Sequence, residues 1–348
     1  MGIFRGKRKL ESNSALAIAA GCAVVFMFMA TIISVFLYKK RMDEAENLLA
    51  EAKYSQYQSY VVMISSDDES DFWQQVYMAA KEYGDEYGVY VDMLSESIDN
   101  NYRKNELIEM AIESDCDAIF VEGDDTVETA EMVAKANAQG IAVFILSSDM
   151  AVESRVSYIG PNSYTVASLY GKALLDNLVR QNQVMVFGGN SINKTYADTF
   201  ISNIQNVLEG ADIVNAPLEY EEKIVEKEGA FATEEYIQNL FKENTLAPVV
   251  ICLDEDSTDT FYQAMIDYNK VGTILLLGSN RSETILTGIK QGVIASTVYV
   301  DPTDIGKAAA GAYVEYRDSG YVSEYISVEA KIINKDNVDA ELQGVAND

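Results

Sequence analysis

From Tyr60 onward, apolar residues gather in short runs at near-regular intervals. The runs 60–64 (YVVMI), 89–94 (VYVDML), 117–121 (DAIFV) and 142–146 (AVFIL) start 29, 28 and 25 residues apart. Between them, apolar positions recur at the helical period, over 72–83, 105–112 and 127–138. A parallel return needs a crossover of a dozen or more residues, so this strand–helix–strand spacing predicts a parallel sheet. The runs are nearly continuous rather than alternating, as strands are when helices cover both faces. After Tyr158-Ile159-Gly160-Pro161 the pattern restarts. It predicts strands at 184–187, 213–216, 248–252, 273–277 and 294–300, with helices at 164–179, 197–208, 233–241, 259–268 and 282–291. The expected fold is thus α/β: two doubly wound parallel-sheet lobes in tandem.

Ahead of this pattern the periodicity vanishes. Residues 15–38 form 24 positions without a charge, rich in Ala, Val, Ile, Phe and Met. At about 1.5 Å per residue they reach roughly 36 Å, enough for a hydrocarbon core of about 30 Å. A cleaved signal peptide has an apolar region of only about 7–15 residues ending at small side chains. This run ends in Val35-Phe36-Leu37-Tyr38, a poor cleavage site. Ala19-Ala20-Gly21-Cys22 looks like a lipoprotein box, but only a short apolar stretch precedes it. An uncleaved single-pass helix is expected, with residues 1–14 as a cytoplasmic stub and 39–59 as a stalk. Arg5, Lys7, Arg8 and Lys9 precede the span and Lys39, Lys40 and Arg41 follow it, a small positive-inside vote for an extracellular C-terminal part.

Charge sharpens the picture. The 348-residue chain has 55 acids, 26 bases and a formal charge of -29. Glu11 and seven of the bases precede Met42, leaving 54 acids against 19 bases, a net of -35 for the rest. Such a surface repels phosphate backbones, so no nucleic-acid partner is expected. There are no histidines, which removes histidine triads and HExxH zinc sites. Cys22, Cys116 and Cys252 show no CxxC spacing. Cys116 and Cys252 read as buried small apolar residues. No GxxxxGK[ST] or GxGxxG motif occurs, and Asp67-Asp68-Glu69 is contiguous, unlike an EF-hand loop. Neither cofactor, metal nor enzymatic activity is expected.

In open parallel sheets, ligands lie beyond the carboxyl ends of the strands. The loops there are Ser65 to Trp73, Glu122 to Asp125, Ser147 to Asp149, Gly188 to Ser191, Asp254 to Asp256 and Gly278 to Arg281. All are polar and most are acid-rich.

Taken in order, these segments resemble the type I periplasmic solute-binding proteins, the group of the ribose-binding protein and the ligand-binding core of the lac repressor. The stretch ISSDDESDFWQQVYMAAKEYGDEYG, then DAIFVEGDD and KANAQGIAVFIL, carry the resemblance, with Ser157 to Asn162 and Asp301-Pro302-Thr303-Asp304-Ile305-Gly306 further on. It implies discontinuous lobes, 60–160 plus 301–327 and 161–300 plus 328–340, joined by a three-strand hinge. It also implies capture of a small polar ligand, such as a sugar, and presentation to an ABC permease or a sensor kinase. The alternative is a degenerate binding fold that docks to a receptor without a small ligand.

The resemblance places Phe72 and Trp73 where the family has two stacking aromatics, with Asp68 and Ser70 in the same loop. Glu122, Ser148 and Asp149 follow the third and fourth strands. Lys194 and Tyr196 lie near family arginines, Asp254 follows a lobe-two strand, Asn280 stands at the place of a ligand-binding aspartate, and Arg281 follows it. Three positions depart from the family pattern: Ser147-Ser148 replaces an Asp-Arg pair, Leu253 an Asn and Val300 a Gln. Serine cannot reproduce the bidentate grip of arginine on adjacent hydroxyls.

Overall fold

The computed structural model describes residue 29 and residues 57–345, apart from 67, 69, 98–101, 125, 151, 178–181, 190, 191, 193, 210–217, 226–228 and 230. All of the expected membrane span 15–38 except residue 29, nearly all of the stalk, Cys22 and the strand expected at 213–216 lie outside the described residues. Among the described residues, no helix is long and apolar enough to cross a membrane. The chain divides after Gln58, and every element below belongs to the unit Ser59–Asp348.

That unit contains two six-stranded sheets. Its strands are β1 (Ser59–Ile64), β2 (Val89–Met93), β3 (Ala118–Glu122), β4 (Ala142–Leu146), β5 (Ser157–Pro161), β6 (Gln183–Gly188), β7 (Glu219–Ile224), β8 (Val249–Cys252), β9 (Leu275–Ser279), β10 (Ile294–Val300), β11 (Tyr325–Val328) and β12 (Ala330–Asn334). The first sheet runs β11-β5-β4-β3-β1-β2 and the second β12-β10-β9-β8-β6-β7. All pairings are parallel except β10 with β12. The helices are α1 (Asp71–Glu86), α2 (Leu94–Ser97), α3 (Lys104–Glu113), α4 (Val127–Ala138), α5 (Ser163–Asp176), α6 (Lys194–Val207), α7 (Ala232–Glu243), α8 (Glu255–Asp267), α9 (Glu283–Gln291), α10 (Pro302–Ser319) and α11 (Val338–Val345).

The tandem order read from periodicity is corrected by this topology. The chain leaves the first sheet after Pro161, leaves the second after Val300, and crosses again at Glu329 between β11 and β12. The edge of the second lobe carries a strand that the apolar pattern did not mark, β7, EYEEKI. Its Glu219 and Glu221 are exposed. Charged side chains on an edge strand discourage pairing with another chain, and the same charges hide it from a search for apolar runs.

Each sheet is covered on both faces, and the alternation along the strands sorts the side chains. Val61 and Met63 of β1 join Trp73, Val76, Phe120, Phe144, Ile305 and Tyr313 beneath α1 and α10. Val62 and Ile64 join Ile108, Ile119, Val143 and Ile145 beneath α3 and α4. In the second lobe, Phe187 and Val250 pack with Ile237, Phe261 and Ile289 of α7, α8 and α9. Val186 and Ile251 pack on the other face with Tyr170 and Phe200 of α5 and α6. Fully burying one such aliphatic or aromatic side chain contributes about 1.5–3 kcal/mol, so the central strands rather than the loops hold each lobe.

The α1–α10 contact depends on the absence of a side chain at Gly306. A Cβ there would lie 2.2 Å from the Val76 carbonyl oxygen and 2.9 Å from the Ala79 Cβ. Gly306→Ala gains helix propensity of up to about 1 kcal/mol, yet forces the two backbones apart. The expected net result is a destabilisation of about 1–3 kcal/mol, the usual cost of overpacking, read from the denaturant midpoint at unchanged slope.

Candidate ligand cleft

The two lobes share one strand order: β2-β1-β3-β4-β5 in the first and β7-β6-β8-β9-β10 in the second. The order reverses between β1 and β3 and between β6 and β8. Loops leaving the carboxyl ends there diverge and open a crevice. In each lobe an acid at or just past the end of the more central strand of that pair holds the loop of the strand nearer the edge. The Glu122 carboxylate accepts from the Ser66 backbone N–H at 2.7 Å and also from the Ser66 hydroxyl. The Asp254 carboxylate accepts from the Gly189 N–H at 2.7 Å. It also caps α8 through the Ser257 N–H and hydroxyl, both at 2.8 Å. Both acids were expected to contact ligand; the structure gives both to backbone donors.

Other expected contacts are redistributed in the same way. Trp73 is only 5% exposed and lies in the core under α1 and α10. Phe72, half-buried, meets it edge-on at 5.3 Å and is the member of the pair nearer solvent. Ser70 is the N-cap of α1, accepting from the Trp73 N–H. Asp68 is half-buried, and its carbonyl receives the Gln74 amide at 2.8 Å. Lys194, at the start of α6, is exposed and paired with Asp198 at 3.1 Å and Glu222 at 2.7 Å. Tyr196 is half-buried on the α5–α6 side, where burial raises its hydroxyl pKa.

Arg281 is engaged by the C-terminal helix. Its guanidinium pairs with Glu341 of α11 at 3.0 Å and lies 4.5 Å over the Tyr299 ring, fixing the C-terminal helix to the second lobe. Asn280 adopts φ 68°, the left-handed region that Asn tolerates better than most residues. Its backbone N–H bonds to Val298 and its carbonyl to Thr297, while its side-chain amide has no partner among the described residues. Ser148, half-buried after β4, likewise keeps its hydroxyl unpaired within the described chain. Its carbonyl lies so close to Gly123 that a Cβ there would be 1.9 Å away.

Three groups were not anticipated. Arg155 reaches back to Asp149, 2.9 Å between charged atoms, and bonds the Met150 carbonyl. This rebuilds an acid–arginine pair beside Ser147-Ser148, from six residues downstream where no motif marks it. Ser65 is 5% exposed at the end of β1, with its hydroxyl unpartnered among the described residues. Glu255 opens α8 half-buried and without a hydrogen bond. Burial, then the charges of Asp259, Asp71, Asp254 and Asp256, push its carboxyl up to about 7. Asp259, one turn on, is pushed up to about 6 by burial despite a hydrogen bond from Ser282.

Two of these electrostatic relations span the sheets. Asp71 of α1 bears on Glu255 of α8, and Tyr196 of α6 bears on Tyr158 of β5. Among the described residues, no group of three or more Cys, Asp or Glu side chains is arranged to hold a metal ion.

Solved structures confirm the architecture. The glucose-galactose binding protein GanP from Geobacillus stearothermophilus superposes with a TM-score of 0.70 at 16% identity, covering 80% of this chain and 98% of that one. A carbohydrate transporter solute binding protein from Agrobacterium radiobacter, bound to D-arabinose, gives 0.69 at 15% identity over 82% and 98%. The XylFII-LytSN complex gives 0.67 at 15% identity over 80% and 98%. At such identities the likeness is one of fold. No curated protein matches the sequence. The family profile described as the periplasmic binding protein domain matches residues 60–319, three-quarters of the chain, and the protein belongs to that family of type I solute-binding proteins.

Proposed function

We propose that the protein is a membrane-anchored extracellular receptor that captures a small, polar, uncharged ligand, such as a sugar, between its lobes. The lobes comprise 60–160 with 301–327 and 161–300 with 328–340. The observation that carries this reading is the state of the polar groups at the carboxyl edges. Arg155, Lys194, Arg281 and Lys104 are each ion-paired within their own lobe. Among the described residues of these loops, therefore, these four cations are already paired rather than offered to an anionic ligand. Neutral donors and acceptors remain, at Ser148 and Asn280, with Phe72 of the first lobe as an apolar surface. Sugars suit such a set, because their hydroxyls hydrogen-bond while their apolar faces lie on a ring. The neighbour bound to D-arabinose supports the same class.

Closure around the ligand would present one shaped surface to a membrane partner, an ABC permease or a sensor kinase. A carbohydrate transporter component and a protein complexed with LytSN among the structural neighbours support a partner of this kind. The 24-residue apolar run at 15–38 would keep the receptor beside that partner.

Residues 42–348, screened by thermal shift against pentoses, hexoses, polyols, nucleosides and amino acids, should show a raised midpoint with a neutral polyhydroxylated ligand. Saturation at 100 times Kd corresponds to about 2.7 kcal/mol. Asn280→Gly keeps the left-handed backbone and removes the amide, so affinity should fall about tenfold, the worth of one hydrogen bond, with the ligand-free midpoint nearly unchanged. A broad screen without any shift would favour the docking module that needs no small ligand. For the anchor, the full chain should stay in the membrane pellet through an alkaline carbonate wash, and deletion of 1–41 should release it.

A further inference from the structure

We propose that closure of the cleft is proton-linked, with Glu255 on one lobe and Asp71 on the other as the opposed pair. The inference rests on the hinged two-lobe reading above. Asp71 is the first residue of α1 and Glu255 the first of α8, so each stands at the carboxyl edge of its own sheet. The two lobes are joined by three chain crossings, and any swing about them changes the distance between these two carboxylates.

Among the described residues, no cation or hydrogen-bond donor answers the charge at Glu255. On its own element it has Asp254, Asp256 and Asp259, and α1 brings Asp71. Helix α7 packs on α8 and carries Glu234 and Glu235 in its first turn; its Lys242 is in the last turn, roughly 15 Å along the axis. Helix α9 carries Glu283 in its first turn, and its Lys290, in the last, is paired with Asp339 at 2.9 Å. Arg281, just ahead of α9, is committed to Glu341 and Tyr299. Asp254 is compensated by three donors and Asp259 by Ser282, whereas Glu255 has none.

Approach of the lobes brings Glu255 nearer a like charge and strips water from it; separation reverses both. Glu255 therefore holds a proton more tightly in the closed form than in the open one. By linkage, the closed form gains as pH falls through about 7 and loses as pH rises. Each unit of difference in proton affinity between the two forms is a tenfold change in the closure equilibrium.

The test is double electron–electron resonance on the full chain in detergent micelles, with nitroxides at Glu82→Cys and Gln263→Cys and the three native cysteines replaced by alanine. Positions 82 and 263 are exposed, on α1 and α8 respectively. Between pH 8.5 and pH 5.5 the ratio of short to long inter-lobe distances should rise about tenfold. Glu255→Gln should show the low-pH distribution at both values, and Asp71→Asn should reduce the shift. Two populations insensitive to pH, or a shift retained in full by Glu255→Gln, would overturn the inference and leave the hinge intact. A single distance at every pH would overturn both.

Discussion

A parallel strand can be followed by another only if the chain returns across the whole sheet, and that requirement organises this molecule. Every strand but β12 in each sheet begins at one edge and ends at the other. The connections that follow strand ends collect on one side, where the helices begin. Those loops cannot be apolar, because helix N-termini need acceptors for their unpaired N–H groups. Ser70, Thr126, Asn162, Asp254, Ser282 and Asp301 all serve as caps there. The polarity of the cleft edge is in the first instance a structural necessity, and binding has to use what capping leaves over.

That competition explains which residues could be identified from sequence and which could not. The strands were legible because burial on both faces demands continuous β-branched runs, and β1, β4 and β10 appear within a residue of where the runs place them. Strand β7 was not, because an edge strand with one protected face tolerates Glu at alternate positions. Acids at strand ends were visible but ambiguous. Glu122 and Asp254 occupy positions suited to a ligand, yet their partners are Ser66 and Gly189, whose proximity arises only after the strands pair. Arg155 was invisible for the opposite reason: its approach to Asp149 depends on a loop that returns to β5. Trp73 shows a third case, in which a side chain placed by its motif at the mouth of a helix faces the core because α10 packs over it.

The distribution of charge has one further meaning. Lobe surfaces are laced with pairs such as Lys135–Glu109 and Lys223–Glu221, which at the surface are worth at most about 1 kcal/mol each. At the cleft, the pairs Lys104–Asp124 and Arg155–Asp149 serve another purpose. Burial works against ionised Asp124, but Lys104 and the Thr126 donors hold its carboxyl below the usual range. Pairing there removes cations from the opening rather than adding rigidity, and leaves acids such as Glu255 as the excess.

The late return of the chain to both sheets also bears on how the protein is made. The first sheet lacks α10 and β11 until residue 328 has been added, and the second lacks β12 and the helix pinned by Arg281 until shortly afterwards. Neither core is complete until the chain has returned to its sheet. Until then the apolar faces under α10 and beside β10 stay open together. Addition of residues 302–345 then completes both lobes in close succession, so loss of this stretch leaves two unfinished cores instead of one finished lobe.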